Sequence, residues 1–195
     1  MLVGFGVLVV VALSFAIPSL TGSSNTSEAA HAKQMGIGVG QGVTAGSAVP
    51  SFSGKDVRTG QTISSKSVYD QKTLLFFSEG VMCQACFEQI QGLQQIGDQL
   101  AKRGIQLVSL TPDSPGDLQQ AAAQYGISTP LISDSSRSIS TAFNTLGMGM
   151  HANTPGHAFA LIYRGKVLWY RDYYQPPDST MYVQPSKLLA AIPRA

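Results

Sequence analysis

The hydrophobic pattern changes character twice along the chain. Leu2 to Leu20, LVGFGVLVVVALSFAIPSL, carries no charge and is just long enough to cross the hydrocarbon region of a bilayer as a helix. Thr21 to Val49 turns to Gly, Ser, Thr and Ala, with too little apolar surface to offset the entropy of ordering it. That composition reads as a flexible tether. From Pro50 onward apolar positions recur with the periods of strands and helices. The expected division is therefore a transmembrane anchor or signal segment at 1–20, a linker at 21–49 and one folded domain at 50–195.

Within that domain, Gly54 to Ser65 alternates polar and β-branched residues about Thr59-Gly60 and predicts a short hairpin. Thr73-Leu74-Leu75-Phe76-Phe77 is nearly continuous in apolar residues, as in a strand buried on both faces. Cys86, Ile90, Leu93, Gly97 and Leu100 form one stripe of an amphipathic helix that ends at Lys102-Arg103-Gly104. Ile105 to Leu110 is the next strand, and Asp113-Ser114-Pro115 opens a helix that Gly126 stops. This alternation implies right-handed crossovers and a parallel sheet centre. A short apolar stretch at Pro130 to Ser133 and a helix over Ser138 to Leu146 follow. His157 to Tyr163 and Lys166 to Tyr173 then read as an antiparallel hairpin turning at Arg164-Gly165, and a helix over Pro185 to Ile192 closes the chain. The sum is a mixed α/β sheet with helices on both faces.

Charge narrows the partners. Thirteen basic and 11 acidic residues give a net charge of +2, with no basic cluster interleaved with aromatics, so nucleic acid is not an expected ligand. Gly36, Gly38, Gly40 and Gly42 follow no strand and lack a following Gly-Lys-Ser/Thr, which makes them linker rather than a phosphate loop. The Leu2 to Leu20 run lacks a Lys/Arg flank before it, so orientation is weakly encoded. Ser14-Phe15-Ala16 and Ala30-His31-Ala32 are cleavage candidates; an uncleaved anchor is the preferred reading and secretion after cleavage the alternative.

The chemistry concentrates in Met82-Cys83-Gln84-Ala85-Cys86, which holds both cysteines of the chain. They follow a central strand and open a helix, the place where open α/β sheets put their sites and where backbone N–H groups favour a thiolate. Cys83, the outer of the two, is the expected attacking sulfur. Cys86, one turn further and at the head of the buried stripe, is the expected resolver. A purely structural disulfide would close too short a loop to constrain the unfolded chain. Zinc would need ligands beyond the pair, and only His31, His151 and His157 are on offer. No cofactor or metal is expected, although Met148, Met150 and His151 supply soft ligands that keep a copper-binding module as a third reading. Glu79 would accept the resolving thiol's proton if partly buried, but is expected as an exposed loop acid. Trp169, Tyr170, Tyr173 and Tyr174 are expected to pack within the late hairpin.

Several segments in order carry a resemblance: Ala48-Val49-Pro50-Ser51-Phe52, Leu74-Leu75-Phe76-Phe77, Val108-Ser109-Leu110-Thr111-Pro112-Asp113-Ser114-Pro115, Tyr125-Gly126-Ile127, Pro130-Leu131-Ile132-Ser133-Asp134 and Gly156-His157-Ala158-Phe159-Ala160-Leu161-Ile162. From Gly46 to Asp172 the chain resembles the redoxin group, the alkyl hydroperoxide reductase/thiol-specific antioxidant family together with membrane-anchored thioredoxin-like reductases. The resemblance implies a thioredoxin-like fold with redox-active thiols. It also implies supporting roles for Thr154 and Pro155, with Pro155 the candidate for the cis-proline that faces the disulfide. The family's peroxidase motif Pro-x-x-x-Thr/Ser-x-x-Cys is incomplete, since Gly80 stands three before Cys83.

The expected activity is thiol–disulfide exchange with client proteins outside the cytoplasm, where disulfides persist, fed by a membrane or thioredoxin-like electron donor. A peroxiredoxin-type peroxidase acting on hydroperoxides through the same cysteines is the alternative.

Overall fold

The computed structural model describes Met1, residues 40–151 and residues 153–194. The apolar run at 2–20 and the first part of the linker lie outside these residues. Among the described residues no helix is long and apolar enough to cross a membrane.

A five-stranded mixed sheet in the order β5-β4-β3-β6-β7 forms the body. Its strands are β3 (Lys72–Phe77), β4 (Ile105–Thr111), β5 (Leu131–Ser133), β6 (Ala158–Tyr163) and β7 (Lys166–Asp172). β3, β4 and β5 run parallel, whereas β6 and β7 are antiparallel to their neighbours. A separate hairpin, β1 (Ser53–Lys55) with β2 (Thr62–Ser64), precedes them. The helices are α1 (Gln84–Gln95), α2 (Gly97–Ala101), α3 (Pro115–Gln124), α4 (Ser138–Ala142) and α5 (Pro185–Ala191).

The period of two in β3 divides the core. Leu74 and Phe76 join Phe87, Ile90, Leu93, Leu118 and Leu188 on the face covered by α1, α3 and α5. Leu75 and Phe77 join Phe52, Val68, Ile139 and Phe143 on the opposite face, under α4 and the loop that enters the sheet. Because β3 is central and both its faces are buried, its C-terminal end is rigidly placed, and the chain leaves it directly into the cysteine segment.

Three local features differ from the sequence reading. The long helical stripe from Cys86 to Leu100 is broken at Ile96 into α1 and α2, while its predicted stop at Gly104 holds, with φ +69°. The helix expected to reach Leu146 ends at Ala142, because Asn144 turns into the left-handed region at φ +54°. Backbone pairing with the body begins ahead of Pro50: the Gly46 N–H donates to the Val167 carbonyl (2.7 Å), the Val167 N–H to Ser47 (3.0 Å) and the Val49 N–H to Gly165 (2.9 Å).

Candidate active site

The turn out of β3 is built around Gly80, whose φ of +97° lies in the left-handed region and whose missing Cβ leaves room for the Asp113 carboxylate. Asp113 Oδ2 accepts the Val81 N–H at 3.1 Å, which ties the β3–α1 loop to the β4–α3 loop. Burial pushes the Asp113 carboxyl up, against the pull of that hydrogen bond.

Cys83 is the N-cap of α1. Its backbone is extended (φ −109°, ψ 91°), and its Sγ accepts the Cys86 N–H at 3.2 Å, the role a serine or aspartate oxygen ordinarily plays. The first turn of α1 contains no acidic residue. The two sulfurs are joined as a disulfide with the cysteine Cα atoms 5.3 Å apart. Cys83 keeps 5% of its surface and Cys86 none, so the outer and inner order is as expected, but Cys83 is buried rather than exposed. The rim beside it is apolar and open: Val81 is 39% and Met82 84% exposed.

Behind Cys86 the site is closed by side chains brought from far along the chain. His157, fully buried just ahead of β6, places Nδ1 4.0 Å from Cys86 Sγ and Nε2 3.1 Å from Gln89 Oε1 of α1. Its ring meets both Phe76 and Phe159 edge-on, at centroid distances of 4.7 and 5.6 Å, and those two rings stack on each other at 4.6 Å. Burial pushes its imidazole down to about 3, so it is neutral. The His157 backbone N–H donates to Asp172 Oδ1 at 3.2 Å, as does that of Tyr174 at 2.9 Å; burial pushes the Asp172 carboxyl up to about 6 despite these bonds.

Glu79 is the clearest correction to the sequence reading. It is buried, 4% exposed, because the segment 147–156 folds over it. Its Oε1 accepts the Met150 and His151 N–H groups and, at 3.1 Å, the Thr154 hydroxyl, while Oε2 lies 3.8 Å from His151 Nδ1. A side chain at Gly149 would overlap this carboxylate. Glu79 thus ties down the loop around Met150 to Thr154. Its hydrogen bonds run to that loop, whereas the side chain that meets Cys86 is His157. Pro155 is buried next to Thr154 but is trans; among the described residues the cis peptide is Pro176–Pro177. Of the candidate copper ligands, Met148 is buried with its sulfur accepting the Tyr170 hydroxyl at 3.7 Å, whereas Met150 is exposed and the largely exposed His151 lies beside Glu79. Among the described residues no group of three or more His, Cys, Asp or Glu side chains is placed to hold a metal.

Sequence reasoning found both cysteines, and it missed His157, Gln89, Asp113 and Asp172 as parts of the site. The available signal for His157 was a lone titratable ring opening an otherwise apolar strand, directly after Gly156.

The model of the AhpC/TSA family matches residues 45–169, a span that includes both cysteines and His157. Over 103 residues the chain is 27% identical to peroxiredoxin Bcp of Escherichia coli (strain K12). That match covers 53% of this chain and 65% of the relative, just under two thirds of its length. Among solved structures, peroxidoxin BcpB from Mycobacterium tuberculosis superposes with a TM-score of 0.63 at 20% identity, covering 76% of this chain and 95% of that one. Mycobacterium tuberculosis AhpC gives 0.61 at 17% identity, with 75% and 89% covered. Peroxiredoxin Q from Xanthomonas campestris gives 0.58 at 16% identity, with 73% and 87% covered. The shared architecture is the thioredoxin-like α/β fold.

Proposed function

The chain belongs to the AhpC/TSA family, and from that premise we propose that it is a thiol peroxidase that reduces hydroperoxides through Cys83 and Cys86. The observation that carries the reading is the Cys83–Cys86 disulfide at the α1 N-terminus, inside the span matched by the AhpC/TSA family. The Cys83 thiolate attacks the outer peroxide oxygen, the O–O bond breaks, and the alkoxide leaves with a proton as alcohol. Cys83 becomes a sulfenic acid. Cys86 thiol then attacks that sulfur, water leaves and the disulfide closes. An external dithiol reopens it. The α1 N-terminus stabilises the attacking thiolate, and the buried position of Cys86 keeps the resolver away from competing oxidants.

Adding one equivalent of hydrogen peroxide to the reduced protein tests this. Both thiols disappear faster than those of free cysteine, and in Cys86→Ser the reaction stops at a sulfenic acid on Cys83 that dimedone traps. Thiol loss no faster than that of free cysteine overturns the reading.

A second reading, disulfide exchange with protein clients outside the cytoplasm, is favoured by two observations. Val81 and Met82 form an exposed apolar rim beside Cys83, and the peroxidase motif lacks its hydroxyl at Gly80. Cys86→Ser then captures clients as mixed disulfides through Cys83, and protease added to intact spheroplasts removes the domain from its anchor. Protection of the domain until lysis excludes this location.

A further inference from the structure

The tautomer of His157 is fixed by a contact on the far side of its ring. Gln89 Oε1 accepts the Val183 N–H at 2.7 Å, which sets the amide orientation, since the flipped amide would face an N–H with an NH₂. The same oxygen lies 3.1 Å from His157 Nε2, so Nε2 carries the proton. Nδ1 is therefore a free lone pair, and it faces Cys86 Sγ at 4.0 Å. Gln89 is fully buried and its own Nε2 has no hydrogen-bond partner, so its oxygen alone makes these contacts.

We propose that His157 is a catalytic residue of the resolving step, taking the Cys86 thiol proton on Nδ1 as Cys86 attacks, with Gln89 as the positioning residue that holds the reactive tautomer. This rests on Cys86 being the resolver. In the reduced protein the Cys86 S–H donates to Nδ1. As the sulfur attacks Cys83, the S–H proton passes to Nδ1, the Cys83–S bond to the leaving group breaks, and the disulfide forms. The imidazolium, still donating from Nε2 to Gln89, returns the proton to the leaving hydroxide or thiolate. Burial keeps the resting ring neutral and makes a lasting imidazolium costly, so Nδ1 holds its lone pair at working pH and carries the proton only as the S–S bond forms. The ionisable group facing His157 from β7 is Asp172, which accepts its backbone N–H; Glu79 acts on Asp172 from beyond it. On the α1 side its neighbours are Cys86 and Gln89, neither adding a fixed charge.

Ellman's reagent separates the two sulfurs, because one thionitrobenzoate is released when Cys83 attacks and a second when Cys86 resolves the mixed disulfide. His157→Phe keeps an aromatic ring packed edge-on against the stacked Phe76 and Phe159 without a nitrogen. It should leave the first phase within about twofold and slow the second by about tenfold or more at neutral pH. Read from pH 7 upward, above the Asp172 titration, the variant's second phase should climb roughly tenfold per pH unit towards an ordinary thiol pKa of about 8.5. The wild-type phase should be flatter. Gln89→Met, which keeps the ring but frees its tautomer, should slow the same phase by about threefold or more. Nitrogen NMR of the wild-type imidazole should show Nε2–H, a readout that does not depend on any variant folding. An unchanged second phase in folded His157→Phe, or an Nδ1–H tautomer, overturns the role of His157 alone. A wild-type protein that releases only one thionitrobenzoate overturns the resolver assignment and this inference with it.

Discussion

Two helix N-termini stand side by side in this molecule, and they are closed in different ways. β3 leads through a short loop into α1, β4 leads through the neighbouring loop into α3, and the Val81–Asp113 hydrogen bond joins the two loops. At α3 the N-cap is Ser114, whose Oγ accepts the Asp117 N–H at 3.2 Å, with Pro115 at the first helical position and Asp117 in the first turn. Oxygen and a carboxylate satisfy that end permanently. At α1 the cap is the sulfur of Cys83, and no acid is present in the first turn. The helix end is left to a group whose charge changes with its redox state. One strand–loop–helix unit is thus finished as structure and its neighbour as a reactive site, and the difference resides in the cap atom and the acid.

The most severe way to break that contrast is Cys83→Ser, which turns the α1 cap into the kind found at α3. Serine is a strong N-cap, so the helix and the fold should persist, with melting close to that of the reduced wild type. Turnover with peroxide or protein disulfides should vanish, because an alcohol at neutral pH is not a comparable nucleophile and no disulfide can form. Residual turnover above the uncatalysed rate would mean that Cys86 attacks, and the roles of the two sulfurs would be exchanged.

Gly80→Ala cuts the link between the loops. The alanine would be held at φ +97° with its Cβ in the Asp113 carboxylate. A cost of about 1–3 kcal/mol in chemical denaturation is expected. Alkylation of Cys83 should also change, since the Val81 N–H loses the acceptor that positions the approach to the cap. A fully stable variant would show that the turn relaxes and that the link is dispensable.

The periodic parts of the molecule were legible in sequence, and the reason is local. β3 announces itself because both its faces are buried, α3 because Ser114, Pro115 and Gly126 mark its ends, and the β6–β7 hairpin because Arg164-Gly165 turns it. Cys83 and Cys86 were found the same way, by their position between a strand and a helix. What was not legible depends on chain segments far apart. Glu79 is buried only because Met150 and Thr154 fold over it, 71 and 75 residues later. His157 meets Cys86 across 71 residues and Gln89 across 68. Nothing in the pattern around Glu79 separates a surface acid from one that ties down a loop. The break at Ile96 is equally silent, because the apolar stripe continues through it.

Ser114→Ala tests the structural member of the pair. Removing the oxygen that accepts the Asp117 N–H should cost about 1 kcal/mol of stability. The rate of Cys83 alkylation should be unchanged, because the two caps serve separate helices. A change in that rate without a change in Gly80 or Asp113 would show that the loops communicate through α3 rather than through the Val81–Asp113 bond.

The smallest effect is expected from giving α1 the acid that α3 already has. Gln84 is exposed in the first turn, so Gln84→Glu adds a negative charge beside the Cys83 thiolate while sparing the core. Two consequences oppose each other. The carboxylate interacts favourably with the helix N-terminus, worth about 0.3–1 kcal/mol, which stabilises the helix. The same charge repels the thiolate and raises the Cys83 thiol pKa. Since Gln84 Nε2 now donates to Glu88 at 2.7 Å, the variant also exchanges a hydrogen bond for a like-charge pair one turn apart, which offsets part of the helix gain. Stability should therefore move by no more than about 0.5 kcal/mol, whereas Cys83 alkylation near neutral pH should slow by about two- to fivefold in dilute buffer. Because the added charge is exposed, the slowing should shrink in about 1 M salt, where screening reaches only about 3 Å. Slowing that persists at high salt would place the cause in altered packing of the first turn, and the absence of an acid from α1 would then carry no electrostatic meaning.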